Sequence, residues 1–469
     1  MRWCINILLI LTAFLCIRYF LVRNDRISAY QEDIRYYFDA IRKYHPNPYV
    51  RISQDSLNSL EARLLNESRA YRSPYELHLS LLQCNHYFDF HSSVVFKNNY
   101  RKETPEKALL AEKILTQLPI AVINDSLFLS GGRLILSIAR HPADYYLKTS
   151  ARMVPYDFEC PPESRWSHQT TCIKAMMCNL SHPEQQLITY YDPLRRKTVK
   201  KSIPGLLESR QLPRSLPHYS FHYYPEESIA LLNYNTSTLN LQEQKQFNDT
   251  LSVFFDSIQN LQIRHLFIDV RNNGGGSDLN HQGIFAHLSF QCLSVILEKT
   301  STAEAQKALL KATKENVYQK YGHPGLTEEQ YRQELKKIPV STGPFLQRDT
   351  LSQSAYKGQY TANVYVLQSH RTASAGSSFC LFMRLWGTHT LLVGEPYADL
   401  NPSSGNVLLL KLPNSGISFR LPTHSIRFIH QLREEEGRLQ PDLPFTFQHA
   451  DSVTLGEMKK IIRLSPLEK

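Results

Sequence analysis

The chain contains no CxxC pair, and no histidine lies at zinc-site spacing from its cysteines, so the common structural zinc modules are excluded. It also lacks a nucleotide loop. Its one run of three glycines, Gly274-Gly275-Gly276, is followed by Ser277 without the Lys-Ser/Thr of a P-loop, and GxGxxG spacing is missing. The net charge is +10, but the basic residues are scattered. Their only tight run, Arg195-Arg196-Lys197 with Lys200-Lys201, lies in an alternating, strand-like stretch with no nucleic-acid module beside it, and reads as a solvated face. There are no internal repeats. The sequence calls for no cofactor, no metal and no nucleic-acid partner.

Long apolar runs are also scarce. The run Ile5 to Ile17 follows Arg2, is interrupted by Arg18, and has the length of a signal-peptide core rather than a free-standing span. If Arg18 snorkels, Cys4 to Val22 would just cross a bilayer. Residues 1–25 are therefore expected to be an export signal, cleaved or kept as a membrane anchor, and the protein to be extracytoplasmic, in the periplasm or cell envelope. Two of the eight cysteines fall in this segment. Of the rest, Cys160, Cys172 and Cys178 are close enough in sequence to hold one disulfide in an oxidising compartment, with buried thiols as the equal alternative.

What is present fills two to three domains: 469 residues, 42% of them hydrophobic. Helical spacing of Ile34, Phe38 and Ile41 is followed by the breaker His45-Pro46-Asn47-Pro48-Tyr49. Further helices are expected over Gln54–Leu65, with Ser53 as cap, and from Pro74 to about Tyr87. Strands are expected around Ile120, Leu127 and Leu134–Ile138, turning at Asn124-Asp125. Residues 155–183 read as loop, and Pro204, Pro213 and Pro217 mark a linker. Beyond Tyr219 strands and helices alternate, with a buried strand at His265–Val270, a charged helical insert at Ala303–Ile338 and a strand up to Leu367.

Two segments carry chemistry. Asp269-Val270-Arg271-Asn272-Asn273-Gly274-Gly275-Gly276 is a buried strand running into a turn whose amides no side chain covers, a nest for a phosphate or a transient oxyanion. In Thr372-Ala373-Ser374-Ala375-Gly376 a serine among small residues stands at a strand-to-helix junction, as a nucleophile or as a helix cap.

The pair, with Gly394-Glu395-Pro396 after it, resembles the C-terminal-processing (tail-specific) serine peptidases. His45–Tyr49, Asp89-Phe90-His91-Ser92 (where many members have D-G-H-T), Leu412–Gly416 and Gln440-Pro441-Asp442 extend the resemblance over most of the chain after residue 30. It implies an α/β fold: a crotonase/Clp-protease-like ββα core (215–455), an N-terminal helical domain (26–105) and a small PDZ-like β domain (106–210). Ser374 maps onto the nucleophile, and Gly274 or Gly275 and Ala375 onto the oxyanion amides. The lysine of the Ser-Lys branch is missing after Gly394-Glu395-Pro396, so the tricorn-like branch is the better likeness. That branch implies His91 as base, with Glu434 or Glu435 orienting it and His86 as the fallback. Phe90 in place of glycine puts the backbone before His91 in question. The partner implied is a peptide or protein substrate, bound through its C-terminus if the PDZ-like region works as in the family, where Gly131-Gly132 is the candidate carboxylate loop. The family also includes ligand-binding relatives, so a peptidase fold that binds peptides or small apolar ligands without turnover is the alternative.

Overall fold

A computed structural model describes residues 2–95, 113–115, 117–139, 141–158, 162–178, 187–207, 216–291, 294–341, 343–352, 360–435 and 437–468. The chain divides into two compact units, one of residues 1–213 with 409–421, the other of residues 214–408 with 422–469.

The first unit begins with helix α1 (Arg2–Tyr44), which ends one residue before His45-Pro46. Ile34, Tyr37, Phe38 and Ile41 form its buried stripe. Helix α2 (Gln54–Glu67) starts at Ser53, whose hydroxyl accepts the Ser56 N–H, as the sequence suggests. Helix α3 (Pro74–Leu82) continues as a 3-10 turn through Tyr87. An antiparallel sheet follows, in the order β1 (Ile120–Ile123), β2 (Ser126–Leu129), β3 (Arg133–Ile138), β4 (Leu187–Asp192) and β5 (Lys197–Ser202), with His141–Pro142 also paired to β3. The β1–β2 hairpin turns at Asn124 and Asp125, both at positive φ, the pairing that suits the twist of a two-residue hairpin.

One expectation fails here. After the short helix α4 (Ala143–Ala151), and within the stretch read as loop, Pro162–Cys178 is a helix, α5. Pro162 is tolerated because the first helical turn has no amide bond to lose, and Cys172, Ile173, Met176 and Met177 are buried along one side. Tertiary burial outweighs weak local propensity. Cys172, like Cys84 and Cys380, is a buried free thiol, and Cys160 lies outside the described residues.

The second unit carries a sheet ordered β15 (Leu443–Pro444), β12 (Thr390–Gly394), β11 (Asn363–Gln368), β8 (His265–Asp269), β7 (Ile229–Tyr234), β6 (Tyr219–Tyr224). All neighbours are parallel except β6 with β7. Every residue of β8 is buried, because helices cover both faces. On one face lie helix α6 (Leu241–Asn260), with Phe247, Leu251, Phe254 and Ile258 inward, and helix α9 (Ala375–Trp386). On the other, Met458 and Ile461 of helix α10 (Leu455–Leu464) pack against Phe267 and Tyr365. A second sheet is ordered β10 (Phe345–Ser352), β9 (Ser294–Ser301), β14 (Ser418–Ile429), β13 (Ser403–Lys411). The charged insert is a helix pair, α7 (Ala303–Lys314) and α8 (Glu328–Lys337), joined by the Lys314–Glu328 ion pair. No helix among the described residues is long and apolar enough to cross a membrane.

Candidate active site

The glycine turn follows β8 and the Ser374 segment follows β11, its neighbour in the parallel sheet. Ligand sites in open parallel sheets gather beyond such carboxyl ends. The two charges of Asp269-Val270-Arg271 neutralise each other first. Arg271, 1% exposed, donates from Nε to Asp269 Oδ1 at 2.9 Å and from Nη2 to Oδ2 at 2.7 Å. Its plane lies 3.9 Å from the Phe447 ring centre, and Nη1 donates to the His449 carbonyl. These letters of the motif are structural.

Asn273 builds the turn. Fully buried, its Oδ1 accepts the Gly275 N–H at 3.0 Å and the Ser237 N–H at 3.2 Å, and its Nδ2 donates to the Tyr234 carbonyl at 3.2 Å. Its carbonyl accepts the Ala373 N–H at 3.0 Å, which ties the glycine turn to the serine segment. Gly275 (φ +106) and Gly276 (φ +146) lie where side chains are rarely found. A Cβ on Gly275 would stand 2.6 Å from Ser374 Cβ, and one on Gly276 2.1 Å from the Ser237 carbonyl carbon. Close backbone approach requires both glycines.

Ser374 has φ +54 and ψ −123, a strained conformation for a residue with a side chain. It stands at the cap position of α9 but makes no capping bond, so the simple cap reading is set aside. The Asp399 carboxylate accepts both the Ser374 N–H and the Ser377 hydroxyl, the latter at 2.5 Å. This splint was not singled out in the sequence. Its only signal was a carboxylate a few residues beyond Gly394-Glu395-Pro396.

Of the oxyanion candidates, the Gly275 amide is already committed to Asn273. Gly274, which is exposed, and Ala375, the first residue of α9, have amides without a hydrogen-bond partner among the described residues. The acidic run divides similarly. Glu434 Oε1 accepts Asn401 Nδ2 and the buried His430 Nε2, both at 2.9 Å, while His430 Nδ1 accepts the Leu432 N–H. Glu435 is half exposed and pairs with Arg433. Glu436 lies outside the described residues.

His91 belongs to the other unit and is buried. It sits in a 3-10 turn, Phe90–Ser92, and neither Phe90 nor His91 has positive φ, so the missing glycine is not needed. The Phe90 N–H donates to the Asp157 carboxylate at 3.0 Å, and the Phe90 ring lies between Phe158 and the Arg420 guanidinium. Ser92 Oγ donates to Asp89 at 2.8 Å and accepts from His45 Nε2 at 2.9 Å, because His45 Nδ1 accepts the Asn47 N–H. Burial lowers His45 to about 4, so it stays neutral near pH 7. Asp89 thus makes a local turn bond. His86, the fallback, is exposed.

His370 also went unnoticed in the sequence. Its Nδ1 lies 2.7 Å from Glu395 Oε2, and the pair holds Glu395 below the usual carboxylate range. This imidazole–carboxylate pair joins the loops after β11 and β12.

Residues 229–445 match the family model described as peptidase family S41. The fold is similar to that of a CPAF mutant (14% identity, covering 94% of this chain and 96% of that one, TM-score 0.57). It is also similar to mature CPAF complexed with lactacystin (15% identity, 93% and 98%, TM-score 0.55). No curated protein matches in sequence. At such identities the structural likeness is one of fold, an α/β fold with several sheets.

Proposed function

We propose, for a chain that belongs to peptidase family S41 through residues 229–445, that it is an exported serine peptidase that hydrolyses peptide bonds of peptide or protein substrates with Ser374 as nucleophile. Ser374 itself carries the proposal: a strained serine, unused as a cap, pressed against Gly275 and held through its own amide by Asp399. Strain kept in place by so many contacts is characteristic of functional serines.

Ser374 Oγ attacks the substrate carbonyl, and the free amides of Gly274 and Ala375 are the donors for the oxyanion. His91 takes the hydroxyl proton and returns it to the leaving amine. Its support is the resemblance of Asp89–Ser92 to the family segment and the ordered turn that carries it. Glu434 is preferred to Glu435 as the orienting carboxylate, because Asn401 and His430 fix it while Glu435 faces solvent. The apolar run at Ile5–Ile17 supports export, and residues 1–25 serve as signal or tether. In unit 1 an open apolar recess of about 480 Å³ is lined by Ile120, Ile123, Phe128, Gly131 and Gly132. It supports capture of the substrate's C-terminal part there.

The deciding experiment is labelling of the purified chain with a fluorophosphonate, alongside hydrolysis of a peptide library. Labelling at Ser374 and cleavage, both lost in Ser374→Ala, support the proposal. Stoichiometric peptide capture with neither labelling nor cleavage would instead support a binding protein on a peptidase scaffold.

A further inference from the structure

Four residues beyond Ser374 on α9 stands Ser378, whose N–H donates to the Ser374 carbonyl at 3.0 Å, so the two lie one helical turn apart on the same face. In that turn only these two are open to solvent; Ala375, Gly376 and Ser377 between them are buried. The Ser378 hydroxyl bonds to the side chain of Asp278, two residues past the glycine turn. The short helix that Asp278 opens packs on α9 through the His281 and Phe379 rings, 5.2 Å apart, which sets the Asp278 carboxyl beside the Ser378 turn.

Its surroundings leave that charge uncompensated. The groups around it are Ser378 on α9, Asp399 on the loop after β12, His281 on its own short helix, and His323 of the insert, which bonds to neighbouring Ser277. Burial lowers His281 to about 3 and also lowers His323, so neither supplies positive charge near pH 7. His281 Nδ1 is fully buried, has no hydrogen-bond partner among the described residues, and lies 3.9 Å from Asp278 Oδ1. Among the described residues no lysine or arginine pairs with Asp278. Crowding by protein and the Asp399 carboxylate raise Asp278 to about 6, yet its side chain is 58% exposed. The exposed part of this carboxyl is open to a ligand. In a chain of net charge +10, a carboxylate without a cationic partner on the helical turn that carries Ser374 and Ser378 favours a cation.

We propose that Asp278 is a specificity-determining residue that receives a lysine or arginine side chain of the substrate next to the scissile bond. This rests on the peptidase reading of Ser374, and two arms separate the two ideas. In the first, kcat/KM of the purified chain is compared for a lysine peptide and its norleucine counterpart at each position flanking the bond. The lysine peptide is expected to be favoured at least about tenfold at pH 7.5, an ion-pair effect. The preference should fall as pH drops through about 6, as Asp278 takes up its proton. Asp278→Asn brings the ratio to within about twofold of one, Asp278→Glu restores part of it, and Asp278→Lys favours a glutamate peptide. In the second arm, Ser374→Ala binds the same peptides, followed by fluorescence anisotropy, with and without Asp278→Asn. Lysine discrimination that disappears with Asp278→Asn supports the proposal even where nothing is cleaved. Equal handling of lysine and norleucine peptides in both arms, or a preference that survives Asp278→Asn, overturns it.

Discussion

The turn before Ser277 and the turn before Ser92 solve the same local problem in opposite ways. At the first, backbone meets backbone: Gly276 lies against Ser237, Gly275 lies against Ser374, and no side chain fits at either glycine. At the second, side chains do the holding: Asp157 takes the Phe90 amide, Asp89 takes the Ser92 hydroxyl, and His45 closes the chain from behind. A turn fixed by close approach can be recognised from its glycines alone. A turn fixed by distant carboxylates needs no glycine, so losing one there says little about whether the segment keeps its shape.

Mutations can break this contrast. Ser374→Ala is expected to lower kcat/KM by at least about a thousandfold with little change in urea midpoint, as for removal of a nucleophile. Retained hydrolysis would remove Ser374 from the chemistry. Gly275→Ala introduces both an unfavourable φ and a clash with Ser374, and is expected to cost about 2–4 kcal/mol and at least about a hundredfold in labelling rate. Phe90→Gly makes the opposite test. If side chains hold that turn, it destabilises by about 1–3 kcal/mol through lost contact with Phe158 and Arg420 and brings no gain in turnover. An increase in activity would mean the glycine is missed after all.

Two smaller effects sharpen the comparison. His45 and His78 in the first unit are lowered to about 4 by burial, against about 6.5 in the unfolded chain. Between those values the unfolded chain binds more protons, so stability is full above pH 6.5 and falls progressively toward pH 4. His45→Gln is expected to flatten that slope in urea titrations from pH 7 to 4. Ser374→Gly removes the positive-φ strain, partly offset by the entropy of a new glycine, and is expected to gain up to about 1 kcal/mol in urea while abolishing hydrolysis. A loss of stability would mean that Ser374 is not strained.

Much of the second unit could be read from the sequence, because its buried strands are short apolar runs and its glycine turn is written in glycines. The helix at Pro162–Cys178 could not, since Thr170, Thr171 and Cys178 argue weakly for any structure and the buried side of Ile173 and Met177 decides the matter. Ser374 and the amides of Gly274 and Ala375 were legible as local features. The Asp399 splint was not, because it depends on partners 22 and 25 residues away.

Arg271 has one more consequence. Its guanidinium sits beneath the Phe447 ring and donates to the His449 carbonyl, so a charge next to the glycine turn is roofed by residues almost two hundred positions later in the chain. During synthesis the Ser374 segment emerges well before that roof. Without residues 447–449, Arg271 loses the Phe447 ring and the His449 carbonyl and keeps its ion pair with Asp269. Truncation just short of Phe447 is therefore expected to leave the Asp269–Arg271 pair beside the glycine turn without its cover.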